Sequence, residues 1–179
     1  MKSSIIVFAS AMLIATGGAL AQGAAPAGGP TDAQIAHIVV TANQVDIDAG
    51  KLAESKSTNK DVQAFGKQMV ADHTGVNQQA VALATRLKVT PADNATSQAL
   101  KAGGADNVKK LQGLKGSEFD KAYVDHEVAY HAQVLDAIDK TLVPSARNEE
   151  LIALIVKVRP AFVAHLEHAK MIQASLRKQ

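Results

Sequence analysis

From residue 32 onward, apolar and polar positions follow the three-and-four spacing of amphipathic helices. Ile35, Ile38, Val39, Ala42, Val45, Ala49, Leu52 and Ala53 form one stripe and predict a helix over about 32–56. Thr31 and Gln34 fit a capping box at its start. Val62, Phe65, Met69, Val76, Ala80, Leu83 and Leu87 predict a second helix over about 60–88, capped by Thr58 or Asn59 and stopped by Thr90-Pro91. A third long helix opens at Ser117-Glu118-Phe119-Asp120, where the helix dipole favours acidic residues, and runs to about Leu142. Val143-Pro144-Ser145 stops it and caps a last helix over about 147–176. Pro160 falls inside that helix and predicts a kink or break, because it removes one backbone hydrogen bond. Residues 89–115 carry Pro91, Gly103, Gly104 and Gly113, which predict two short helices, near 97–101 and 106–114.

Short loops make each pair of long helices antiparallel, and a long connection lets the second and third run parallel. The expected fold is therefore all-α: a ferritin-like four-helix bundle with a long crossover carrying short helices, spanning 32–177, with a plain up-down bundle as the alternative because sequence does not fix the crossover's path. The first residues follow another pattern. Lys2, an apolar run from Ile5 to Leu20, and Ala19-Leu20-Ala21 read as a secretory signal peptide over 1–21. Residues 22–31, rich in Gly, Ala and Pro, read as a flexible linker. The expected mature protein is exported, periplasmic or secreted, with no integral membrane span.

Composition narrows the chemistry. The 179 residues include 33 Ala and no Cys, which excludes disulfides, thiolate metal sites and cysteine nucleophiles. A formal net charge of +2 argues against a nucleic-acid partner. Lys109, Lys110 and Lys115 have no aromatics between them and read as a solvated face. There is no Gly-rich phosphate loop, no Gly-x-Ser-x-Gly elbow and no His-Glu-x-x-His motif. Binding is therefore favoured over catalytic turnover. The oligomeric state stays open.

The informative positions are polar residues inside apolar stripes. Asp46 interrupts the first stripe and His73 the second; Glu127 and His131 interrupt the third and His165 the last. Asp120 also lies in the third stripe, one end-turn earlier. Counted along their helices, the interruptions agree in depth to within one or two turns at about 1.5 Å per residue. Asp46, His73, His131 and His165 would suit one divalent ion such as Zn²⁺, Cu²⁺ or Fe²⁺, with Glu127 and Tyr123 as further ligands or supporting partners. The alternative is a metal-free structural or interaction module whose polar residues form a closed hydrogen-bond network. A redox metalloenzyme of the di-iron type is the weakest reading, because the chain has no Glu-x-x-His. His126 and His168 fall at stripe rims, while His37 and Asp48 face outward. Asp72 lies at a stripe edge, where it is expected to pair with a surface lysine.

Four segments carry a family resemblance. They are Val45-Asp46-Ile47-Asp48-Ala49-Gly50-Lys51-Leu52-Ala53; Phe65 through Met69-Val70-Ala71-Asp72-His73; Phe119-Asp120-Lys121-Ala122-Tyr123 followed by His131; and Pro160 through His165-Leu166 to Ala169. Together they resemble an exported bacterial family of unknown function, often labelled as outer-membrane proteins, with a ferritin-like bundle. Asp46 and Asp48 stand where that family has Glu, and His126 and His168 are additional. The resemblance implies export and the bundle; it supplies no activity. No barrel-strand pattern supports the outer-membrane label.

Overall fold

A computed structural model of the chain describes residues 28–178. The expected signal peptide, and the expected linker up to residue 27, lie outside the described residues.

The first helix, α1 (Asp32–Lys56), starts at the expected capping box: Thr31 accepts from the Gln34 amide, and the Gln34 side chain accepts from the Thr31 amide. α2 (Lys60–Arg86) is capped by Asn59, which satisfies the amides of Asp61 and Val62. It ends two residues earlier than expected, and Lys88 turns the chain away with φ 56°. α1 and α2 pack backbone to backbone where Gly50 meets Gly66. A Cβ on either glycine would lie 2.8 Å from the carbonyl oxygen of the other.

The crossover differs from expectation. Residues Ala95–Gly113 form one continuous helix, α3, rather than two short ones. Gly104 does not break it. A Cβ there would lie 2.7 Å from Val45 Cγ2, so the glycine lets α3 approach α1. Asn94 caps α3 by accepting from the Ser97 amide.

α4 (Gly116–Ala137) continues into a π-helical segment, Ile138–Leu142, and a final turn, α5 (Val143–Ser145). Asp139 in the π segment takes a two-pronged hydrogen bond from Arg159, with both contacts at 2.7 Å. α6 (Glu149–Leu176) is capped by Asn148 rather than by Ser145. Pro160 leaves α6 unbroken. Both Pro160 and Val156, whose carbonyl would have bonded to residue 160, lie on the exposed face, where water can take the freed acceptor.

End-to-end contacts fix the direction of each helix. At the upper end, the Asp32 carboxylate accepts from the amides of Arg147 and Asn148, at 2.8 and 3.1 Å. There too the Ala92 amide bonds to Ala33, and Arg86 pairs with Glu150. At the lower end, Lys56 donates to the carbonyls of Leu111 and Gln112 at the end of α3, and Ser57 donates to Asp120 near the start of α4. So α1, α3 and α6 run downward, and α2 and α4 run upward in parallel, as the long crossover predicts. The core has two apolar clusters. The lower one includes Ala53, Phe65, Met69, Leu111, Phe119 and Ala169; the upper one includes Ile35, Val76, Ile138, Leu151, Ile155 and Phe162. Asp120 belongs to the lower turn and takes no part in the polar layer between them. No described helix is long and apolar enough to cross a membrane.

Candidate metal centre

Four helices deliver polar side chains into one buried layer. α1 contributes Asn43 and Asp46, α2 His73, α4 Glu127 and His131, and α6 His165. The relative exposures are 3% for Asp46, 2% for His73, 0% for Glu127, 1% for His131 and 2% for His165. All five residues expected from the interrupted stripes are therefore brought inside. The three imidazole rings form a nearly equilateral triangle. Their centroids are 5.6 Å (His73–His131), 5.3 Å (His73–His165) and 5.5 Å (His131–His165) apart. One nitrogen of each ring lies within 4.8 Å of one nitrogen of the other two.

Hydrogen bonds fix what each ring offers. His73 Nδ1 sits 2.7 Å from Asn43 Oδ1 and 3.5 Å from Asp46 Oδ2, so it carries the proton. His131 Nδ1 donates to the Glu127 carbonyl at 3.0 Å. His165 Nε2 donates to Asp72 Oδ2 at 2.9 Å. In its neutral form each ring would present a lone pair on its other nitrogen: His73 Nε2, His131 Nε2 and His165 Nδ1. All three are buried without a hydrogen-bond partner among the described residues. An oxygen acceptor on the far nitrogen is what orients a metal-binding histidine.

Asp46 falls outside the three-histidine set and belongs to a second one. Asp46, Glu127 and His131 each place one ligand atom within 4.8 Å of the other two. Asp46 Oδ1, both Glu127 carboxylate oxygens and the Tyr123 hydroxyl also lack hydrogen-bond partners. Asp46 and Glu127 face each other closely enough for a side-chain hydrogen bond when one of them holds a proton.

Electrostatics follow from the burial. His73 is lowered to about 2, first by desolvation and then by the neighbouring His131 and His165. His165 is also lowered by desolvation, against the pull of Asp72. The Asp46 carboxyl is raised well above its usual range, by burial first and then by the Glu127 carboxylate beside it. Tyr123 and Tyr130 are raised by burial. Burial thus disfavours charge on His73, His165 and Asp46. Neutral imidazole is the form that binds a metal.

Two expectations change. Asp72 does not pair with a surface lysine; although 47% exposed, its side chain reaches across to orient His165. Asn43, unremarked in the sequence, is buried at 3% exposure and sets the tautomer of His73. Its signal was present, because Asn43 lies three residues before Asp46 on the same face of α1. The remaining histidines stay out of the layer. His126 stacks on Tyr130, His168 bonds to Gln68 and packs on Phe65, and His37 is 3.7 Å from Asp93 at the surface.

Three imidazoles grouped in a buried layer with further carboxylate oxygens form a cluster that could hold a cation in a helical bundle. Residues 17–172 match the family described as Domain of unknown function (DUF4142), and the chain belongs to that family. No curated protein and no solved structure matches the chain.

Proposed function

We propose that this is an exported ferritin-like bundle protein that binds one divalent transition-metal ion through His73, His131 and His165. Asp46 and Glu127 stand by as oxygen ligands or charge partners. The observation that carries the reading is the set of three free nitrogens on three different helices, each ring held by an oxygen on its other side. A bound ion would satisfy several orphaned atoms at once, and structural Zn²⁺ contributes about 10–16 kcal/mol in small domains. Three imidazoles suit Zn²⁺ or Cu²⁺, and added carboxylates would also admit Fe²⁺. In a shared tetrahedral or trigonal site the nitrogens would draw in to about 3.3–3.6 Å of one another. The biological role would be metal handling or envelope stress.

Metal analysis of the native protein tests this directly. We expect about one equivalent of metal in wild type, and loss of it in His73→Ala and in the double variant His131→Ala/His165→Ala. Native protein that carries no metal and takes none up on titration with Zn²⁺, Cu²⁺ and Fe²⁺ would leave the metal-free interaction module as the surviving reading. N-terminal sequencing of the exported protein is expected to begin at Gln22.

A further inference from the structure

The last helix has a second patterned face, which the described residues leave uncovered. One side of α6, with Ile155, Phe162 and Ala169, is buried in the core. On the other side, Ala153, Lys157, Pro160, Ala164, Glu167 and Met171 follow one another at alternating steps of four and three, and all six are exposed. An average step of 3.5 residues is the spacing of a seam that meets another helix. Four of the six positions are apolar, on the side of a surface helix where polar residues belong. Val156 borders the row. Val156 and Met171 leave 51% and 64% of their surface open, and among the described residues Val81 is the one other large hydrophobic so exposed.

The two charges in the row decide what fits it. Two copies of α6 can lie antiparallel about a two-fold axis level with residue 162. Positions equally far from 162 then meet at one height, and every pair occurs twice. Nine residues out, Ala153 of one copy meets Met171 of the other. Five residues out, Lys157 meets Glu167. Two residues out, Pro160 meets Ala164, and these small side chains let the helices come close. Laid parallel, the same helices would set Lys157 against Lys157 and Glu167 against Glu167. Neither charge is locked elsewhere. Lys157 lies 3.4 Å from the Gln79 side chain, and Glu167 makes an exposed pair with Lys170 one turn along α6. We propose that this face of α6 is a self-association surface whose partner is a second copy of the chain, docked antiparallel. The six positions span about 27 Å of helix, which places the contact at the small end of protein interfaces and makes the dimer weak and reversible. The face lies across α6 from His165 and owes nothing to the metal reading.

Charge reversal tests both the surface and its register. Sedimentation equilibrium of the protein, up to about 1 mM, is expected to show a monomer–dimer equilibrium. Lys157→Glu and Glu167→Lys each turn two attractive pairs into like-charge pairs, and each should weaken the dimer at least about tenfold. The double swap Lys157→Glu/Glu167→Lys should restore it. Both residues are exposed, so circular dichroism and metal content should stay as in wild type. The chain has no Cys, so Ala153→Cys/Met171→Cys carries the only two thiols. A short bismaleimide should join two copies of that variant. Ala153→Cys alone sets its two thiols about 27 Å apart across the dimer and should not cross-link. A protein that stays monomeric throughout, a dimer indifferent to both single reversals, or a folded double swap that fails to reassociate would overturn the proposal. So would a monomer that co-sediments with phosphatidylglycerol vesicles, which would assign the face to a lipid surface. Metal content is measured on the same samples, so failure here is distinguishable from failure of the metal reading.

Discussion

The two apolar clusters of the bundle are built from similar residues and finished differently. In the lower one, Phe65, Met69, Leu111, Phe119, Tyr123 and Val124 are all fully buried, and the ring of Phe119 stacks on Tyr123 with centroids 6.3 Å apart. In the upper one, most side chains keep a few per cent of their surface, and a cavity of about 250 Å³ separates the helices. The orphaned histidine, carboxylate and tyrosine atoms lie in the layer between. One half of the molecule holds the helices in register, while the other leaves space beside a costly polar layer. A bundle selected for stability alone would have filled both.

Matched truncations measure that contrast. Phe65→Ala removes a ring with no exposed surface, and a loss of about 3–5 kcal/mol is expected in denaturant unfolding. Phe162→Ala makes the same chemical change beside a chamber that is already open, where fewer packing partners are lost. It should fall at or below the low end of that range. Phe162 also stacks on His73, with centroids 5.1 Å apart and planes 14° apart, so its removal should alter metal affinity while Phe65→Ala leaves it unchanged. Equal costs for the two truncations would erase the distinction between the halves.

A smaller effect tests how α3 is held against the layer. Gly104→Ala brings a methyl to 2.7 Å from the side chain of Val45, next to Asp46, and should destabilise by about 1–3 kcal/mol. Gly103→Ala meets nothing within 4 Å and should instead stabilise by about 0.5–1 kcal/mol, through higher helix propensity. Two adjacent glycines with opposite signs would establish that one is needed for packing and the other is not.

Those glycines also mark where sequence reading stopped. Stripe spacing was enough for the four long helices and the five buried polar residues, because each rests on a periodicity internal to one helix; the parallel run of α2 and α4 followed from the length of the connection between them. What it missed depends on a second element. Gly104 reads as a helix breaker until Val45 is seen against it. Pro160 reads as a kink until its side of α6 is known to face water. Asp72 is a rim residue by helical angle, and its reach to His165 across α2 and α6 has no sequence signature. The cavity is walled in part by a π-helical segment whose residues, Ile138 to Leu142, look like ordinary α-helix.

pH separates three histidines shifted by burial from the buried Asp46 carboxyl. In metal-free protein, His73, His126 and His165 are lowered by burial from an ordinary value of 6.5. The unfolded chain therefore binds more protons than the folded one below about pH 6.5, and stability should fall as pH drops through that region. Asp46 is raised above 3.8 and acts in the opposite sense. Its folded form holds a proton that the unfolded form has lost, so its contribution weakens as pH rises above 3.8. Each group contributes a slope of at most about 1.4 kcal/mol per pH unit. Several histidines outweigh one aspartate on the acid side, so stability should rise with pH toward about 6.5, with Asp46 opposing that rise from pH 3.8 upward. Asp46→Asn should remove that opposition and leave the histidine-driven acid limb in place. Saturating metal should steepen the acid limb, because protons and the ion compete for the same imidazole nitrogens. An acid limb that is identical with and without metal would mean that the ion does not bind at these histidines.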